Sequence, residues 1–106
     1  MKMKPEYRKS GYSNQTARQY VDLQAPIYLL SDEIEAQQKF EDGKPTGEVI
    51  AYKIWFGQKG LPPFQVKFLE QPELPEYLSL VTFDNLQACE VNYNVYFKAD
   101  SLKEVK

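Results

Sequence analysis

Histidine is absent from this chain of 106 residues, and its absence removes more chemistry than any other feature of the sequence. Ser-His-Asp and Cys-His arrangements are impossible, and the usual transition-metal sites lose their commonest ligand. Cysteine occurs once, at Cys89, which excludes an internal disulfide and cannot build a zinc site alone. With no histidine to draw its proton, Cys89 reads as a small buried thiol in a strand and not as a nucleophile. The five glycines are scattered and form no phosphate-binding loop. No window approaches the roughly 20 apolar residues of a membrane span, and Met1 to Glu6 lacks the apolar run of a signal peptide. A cytoplasmic chain with no membrane partner is expected. Carboxylates are plentiful, yet nothing in their spacing marks a catalytic pair. The absences point away from an enzyme, and away from a cofactor, a metal or a small-molecule substrate. They point toward a binding protein.

Acid is missing from one stretch in particular. Net charge is −2, but residues 49–68 carry Lys53, Lys59 and Lys67 with no carboxylate, a balance of +3. Residues 1–20 stand at +4, and the blocks 21–48 and 69–90 stand at −5 each. Such segregation builds a basic groove on an acidic body, because the local field steers a polyanion. Ordinary clustering of surface charge gives the same pattern, so both readings stay open here.

The acid-free stretch also holds the one tryptophan. Glu48 to Leu69 contains Tyr52, Trp55, Phe56, Phe64 and Phe68, in two strand-like runs around Gly57-Gln58-Lys59-Gly60-Leu61-Pro62-Pro63. This reads as a β-hairpin with a long loop. Ile50, Tyr52, Ile54 and Phe56 alternate with Val49, Ala51, Lys53 and Trp55; the first set is expected to face the core and the second to face outward. In the partner run Phe64, Val66 and Phe68 face inward, which puts Lys67 on the face of Lys53 and Trp55. A tryptophan at such a place either covers the edge of the core or stacks on a ligand.

The remaining segments complete a β pattern. Residues 1–20 are basic and poor in aliphatic side chains and read as a flexible tail, either a solubilising arm or one that touches phosphates through Arg8 and Lys9. Ser31 to Phe40 fits either a helix capped by Ser31 or the end of a long bent strand from Ala25. The Asp42-Gly43 turn that follows is a hairpin signal, which favours the strand. Tyr77 to Phe83 and Tyr93 to Phe97 read as further strands, with Tyr93, Val95 and Phe97 inward and Asn94, Tyr96 and Lys98 outward. The sum is one all-β domain over residues 21–106, a five-stranded antiparallel barrel of the OB-like kind, with the flexible basic tail before it.

Asp42-Gly43-Lys44-Pro45, the Tyr52–Phe68 hairpin, YLSLVTFDNLQA and the ending VYFKADSLKEVK resemble the OB-fold single-stranded DNA-binding proteins of phages and Gram-positive mobile elements, the gene V type above all. The likeness runs over about residues 25–106 and rests on pattern and order, with no signature motif. It implies sequence-independent binding and protection of single-stranded DNA in phage, plasmid or conjugative-element DNA metabolism, by a homodimer or cooperative oligomer. Carried over, the matching positions are Tyr52, Lys53, Trp55, Lys59 and Lys67. Bases would stack on Trp55, with Tyr52 or Tyr96 beside it. The lysines, with Arg8 and Lys9 of the tail, would neutralise phosphates. RNA as the strand, a protein–protein adaptor built on the acidic segments, and a structural subunit are the competing expectations. A pI near 5.2 stands against strong phosphate-driven binding.

Overall fold

Period-two alternation resolves, in the computed structural model, into strands over about half of the described residues, 11–105. One short helix, α1 (Asn14–Tyr20), precedes β1 (Tyr28–Leu29), β2 (Glu35–Glu41), β3 (Lys44–Gly57) and β4 (Phe64–Phe68). Then follow β5 (Val81–Asp84), β6 (Gln87–Val91), β7 (Asn94–Lys98) and β8 (Ser101–Glu104). The main sheet runs β1-β3-β4-β7-β6, with β2 also paired to β3, and β5 pairs with β8 in a small second sheet.

The all-β expectation holds, but two of its particulars do not. Eight strands form among the described residues where five were expected. The main sheet is also mixed, because β7 lies parallel to β4, with Val66 opposite Phe97 and Lys67 opposite Lys98. Hairpin signals in a sequence report only antiparallel neighbours joined by short turns. Parallel neighbours need a long crossover, and here the chain leaves β4, builds β5 and β6, and returns. One extra strand arises because β1 and β2 pair with different stretches of β3, at Gly57–Phe56 and from Lys53 down to Lys44. Strand and not helix is therefore correct for residues 35–40, but the single bent strand expected from Ala25 is broken into two, with residues 30–34 in neither. At the bend, the Ser31 hydroxyl accepts the Trp55 N–H at 2.8 Å, replacing a missing ladder bond.

Residues 14–20 also depart from the flexible-tail expectation. Ser13 caps α1 by accepting the Thr16 N–H, and Thr16, Ala17 and Val21 are buried. Ser13 pairs with Ala88 through two backbone bonds of 2.9 and 3.0 Å. Asn14 donates to Leu86 O, and the Tyr20 hydroxyl donates to the buried Glu90 at 2.7 Å. Two small residues and one valine suffice because β6 supplies the polar partners. Residues 1–10, with Arg8 and Lys9, lie outside the described residues.

The core is aromatic. Ile54, Phe56, Phe64, Val66, Phe68, Val95 and Phe97 are buried, as their alternation requires. Phe56 meets Phe83 edge-on at 4.8 Å between ring centroids, and Phe64 meets Phe97 at 5.2 Å. Two inward expectations fail. Ile50 is exposed because the β2–β3 ribbon outruns the core, and every residue from Gln38 to Ile50 is exposed. Tyr93 does not belong to β7; it sits in the turn before it at φ 66°. The Asp42-Gly43 turn is as expected, with both residues at positive φ and Glu41 paired to Lys44. Tyr77 to Phe83 is shortened to β5, since Glu76 to Ser79 turns with Leu78 at φ 70°.

Candidate functional site

Parity on the sheet decides which side chains share a face. Glu35 lies opposite Lys53, Lys53 opposite Lys67, Lys67 opposite Lys98, and Lys98 opposite Gln87. Five adjacent strands thus carry one transverse row, whose three central members are lysines about 4.8 Å apart from strand to strand. Like charges placed directly opposite repel. Among the described residues, no salt bridge reaches any of the three lysines; the pair that forms is Lys39–Glu41, on the exposed ribbon.

The neighbouring row is aromatic and polar. Trp55 lies opposite Gln65, and Tyr96 lies opposite Cys89. Together with Tyr12, Gln37, Lys53, Lys67 and Asn94, these side chains line an open groove of about 410 Å³. Trp55 and Tyr96 are 43% and 50% exposed, so their rings are available to a ligand. Glu35 closes one end of the lysine row and is engaged there, accepting from Gln65 Nε2 at 3.0 Å. The Gln37 Oε1 atom is buried without a hydrogen-bond partner among the described residues, leaving a free acceptor in the groove wall.

Tyr12 enters the groove because Ser13 is zipped to β6 and α1 is pinned behind it. The Lys98 ammonium stands 4.5 Å from the Tyr12 ring centroid and the Lys67 ammonium 5.7 Å, both within cation–π range. Burial, then the charge and hydrogen bond of Cys89, then Tyr96, push the Tyr12 phenol up to about 12. It is neutral at physiological pH and serves as a ring and a hydroxyl, not as an anion. Cys89 is buried, in keeping with the structural thiol expected of it.

Of the residues singled out in the sequence, Lys53, Trp55, Lys67 and Tyr96 come together in this groove. Tyr52 does not. It lies opposite Phe68, so its side chain shares the core face and points away from Trp55. Lys59 sits exposed in the β3–β4 loop, outside the groove lining. Lys98 and Tyr12 were missed as site residues. The outward phase of Lys98 was legible, but its place beside Lys67 depends on the parallel pairing. Tyr12 was lost in an apparent tail.

The groove offers stacking rings, the lysines Lys53 and Lys67, and amides from Gln37, Gln65 and Asn94; Lys98, next to Lys67 in the row, lines the adjoining depression with Glu70 and Asp100. Among the described residues, no cluster of acids or thiols could hold a metal, and no helix is long and apolar enough to cross a membrane. No protein-family model, curated protein or solved structure matches this chain, so the reading of the groove rests on its own residues.

Proposed function

We propose that this groove binds single-stranded DNA without sequence preference, stacking bases on Trp55 and Tyr96 and setting phosphates on Lys53, Lys67 and Lys98. The observation that carries the reading is the lysine row itself. Lys53, Lys67 and Lys98 follow one another across three adjacent strands with no acid between them in the row, so a polyanion laid across it meets only positive charge there. An open groove flanked by aromatics suits unpaired bases, whose rings are open, better than a duplex, whose bases are stacked inside.

The sheet supports an OB-like assignment. Counting the β1–β2 segment as one strand and setting aside β5 and β8, which pair in the second sheet, the order of the main sheet is first, second, third, fifth, fourth, in keeping with a partly open, five-stranded Greek-key barrel. The groove lies over the second and third strands of that count, the usual binding surface of such folds. A homodimer or cooperative array is the form in which the protein would protect long strands, with the exposed β2–β3 ribbon as its contact.

Titrating Trp55 fluorescence with oligo-dT at low and moderate salt tests the proposal. Quenching is expected, with an affinity that falls as salt rises by a slope of about −2, near 0.7 for each of three neutralised phosphates. An unchanged spectrum from folded protein at both salts would refute it. Competition with oligo-U separates DNA from RNA.

A protein-docking role has one specific feature in its favour. Tyr77 and Leu78 are exposed on a strained turn beside Glu70, Glu73 and Glu76. Retention of a basic protein partner by a chain that ignores oligonucleotides would favour that role.

A further inference from the structure

Among the described residues the main sheet has one open edge. β6, at one end of the strand order, is covered by the Ser13–Ala88 bridge. β1 is covered by backbone bonds between Leu29 and both Leu78 and Ser79. β2 pairs with β3 alone. Along such a strand the backbone groups point alternately toward the neighbour and away from it. Glu41 pairs with Lys44 at the turn, and the Lys39 carbonyl accepts from the Thr46 hydroxyl at 3.0 Å, so both residues are turned toward β3. Phe40 stands between them, opposite Pro45, which has no N–H to offer. The Phe40 N–H and carbonyl therefore face the open edge, and its ring is 62% exposed.

Charge then selects the register in which a second copy pairs with this edge. In an antiparallel pair about a two-fold axis, one residue meets its own copy, and the residues on either side meet each other's. Centred on Lys39 or on Glu41, the pair sets like charges directly opposite, and centred on Gln38 it sets Glu35 opposite Glu41. Centred on Phe40, it sets Lys39 opposite the partner's Glu41, and does so twice. Both side chains are free to turn outward, being 49% and 66% exposed and 3.5 Å apart on one face of β2. The same centre brings the two outward-facing Phe40 backbones together as a doubly hydrogen-bonded pair, with their rings side by side. Backbone direction and charge choose the same residue.

We infer that β2 is a self-recognition edge. Two copies of the chain join antiparallel through it, with Phe40 on the two-fold axis and Lys39 paired to the partner's Glu41 on either side. Because β1 and β6 are covered, the joined sheet has no further edge to offer and association closes at two. The inference deepens the ribbon contact proposed above and does not depend on what the groove binds.

Sedimentation equilibrium without nucleic acid tests the pairing by charge reversal. The wild type is expected to dimerise. Lys39→Glu and Glu41→Lys each set like charges at both crossings and are expected to weaken dimerisation about fivefold or more. The double variant Lys39→Glu/Glu41→Lys exchanges the charges and is expected to dimerise as the wild type does. An equimolar mixture of the two single variants is expected to form the heterodimer, since each supplies the charge the other lacks. A monomeric wild type overturns the inference. So does a dimer that the single reversals leave unchanged, or one that neither the double variant nor the mixture restores. Affinity for a short oligo-dT, measured separately, bears on the groove alone, so the two readings fail independently.

Discussion

Lys67 and Lys98 stand side by side on parallel strands and reach over a single ring, that of Tyr12, at 5.7 and 4.5 Å. The shared ring offsets part of their repulsion, since an exposed cation–π contact contributes about 0.5–1 kcal/mol and a cross-strand like-charge pair costs about 0.2–1 kcal/mol. The two effects nearly cancel, and the fold tolerates a concentrated positive face without gaining from it.

Neutralising one of these lysines should therefore separate stability from binding. Lys67→Gln, at the centre of the row, is expected to leave the melting temperature unchanged or slightly raised. Its oligonucleotide affinity should fall, and the slope of log affinity against log salt should shrink by about 0.7. A variant that keeps the wild-type slope would show that Lys67 meets no phosphate.

Trp55 and Phe56 are adjacent in β3 but point to opposite faces, one 43% exposed and the other fully buried. Trp55→Ala is expected to fold and to lose about 1–3 kcal/mol of binding. Phe56→Ala removes a ring packed on Phe64, Phe68 and Phe83 and is expected to cost about 3–5 kcal/mol of stability. Chemical denaturation of both variants, read by circular dichroism, checks the pair. A Trp55→Ala protein as unstable as Phe56→Ala would assign Trp55 to the core.

Alkaline pH should report the lodging of Tyr12. Its phenol titrates near 12 in the fold against about 10 in the unfolded chain, so the folded state holds the proton more tightly. The resulting stability is fully present below pH 10 and is lost as pH rises from 10 through 12. Partial exposure of the ring reduces its worth to about 1 kcal/mol. Cys89, Tyr96, Lys67 and Lys98 all face this group. Tyr12→Phe is expected to remove the latest step of the tyrosinate absorbance titration at 295 nm and to flatten the stability decline above pH 10. An unchanged last step would place Tyr12 outside the groove.

How far the sequence foretold this arrangement depended on the range of the interaction. Phe64, Val66 and Phe68 showed their inward phase because alternation is local, and Asp42-Gly43 showed its turn for the same reason. Lys53 and Lys67 could be set on one face because a hairpin joins them. Lys98 could not be set beside them, since no local signal encodes a parallel neighbour some thirty residues away. Tyr12 was hidden by composition: its segment is too polar to order itself, and it orders by borrowing backbone partners from Ala88. Tyr52 was misassigned as a ligand residue, although its inward phase was already visible in the alternation. Ile50 kept its phase, but the core it should have met ends before the ribbon does.

The β2–β3 ribbon is the one large element that no core packing explains. Phe40 is 62% exposed there, and Val49 and Ile50 are exposed on its other strand. Among the described residues β2 pairs on one side only, leaving an edge with free backbone donors and acceptors. An open edge bearing apolar side chains is a surface for another chain. Phe40→Ser is expected to change the stability of the isolated chain by no more than about 0.5 kcal/mol, because the ring touches little in the monomer. It should nevertheless lower the association state seen in sedimentation equilibrium and remove cooperativity on long single strands, while affinity for a short oligonucleotide persists. A wild type that is monomeric at high micromolar concentration and binds long strands without cooperativity would deny the ribbon this role. A wild type that associates equally well with Phe40→Ser would move the contact to another face.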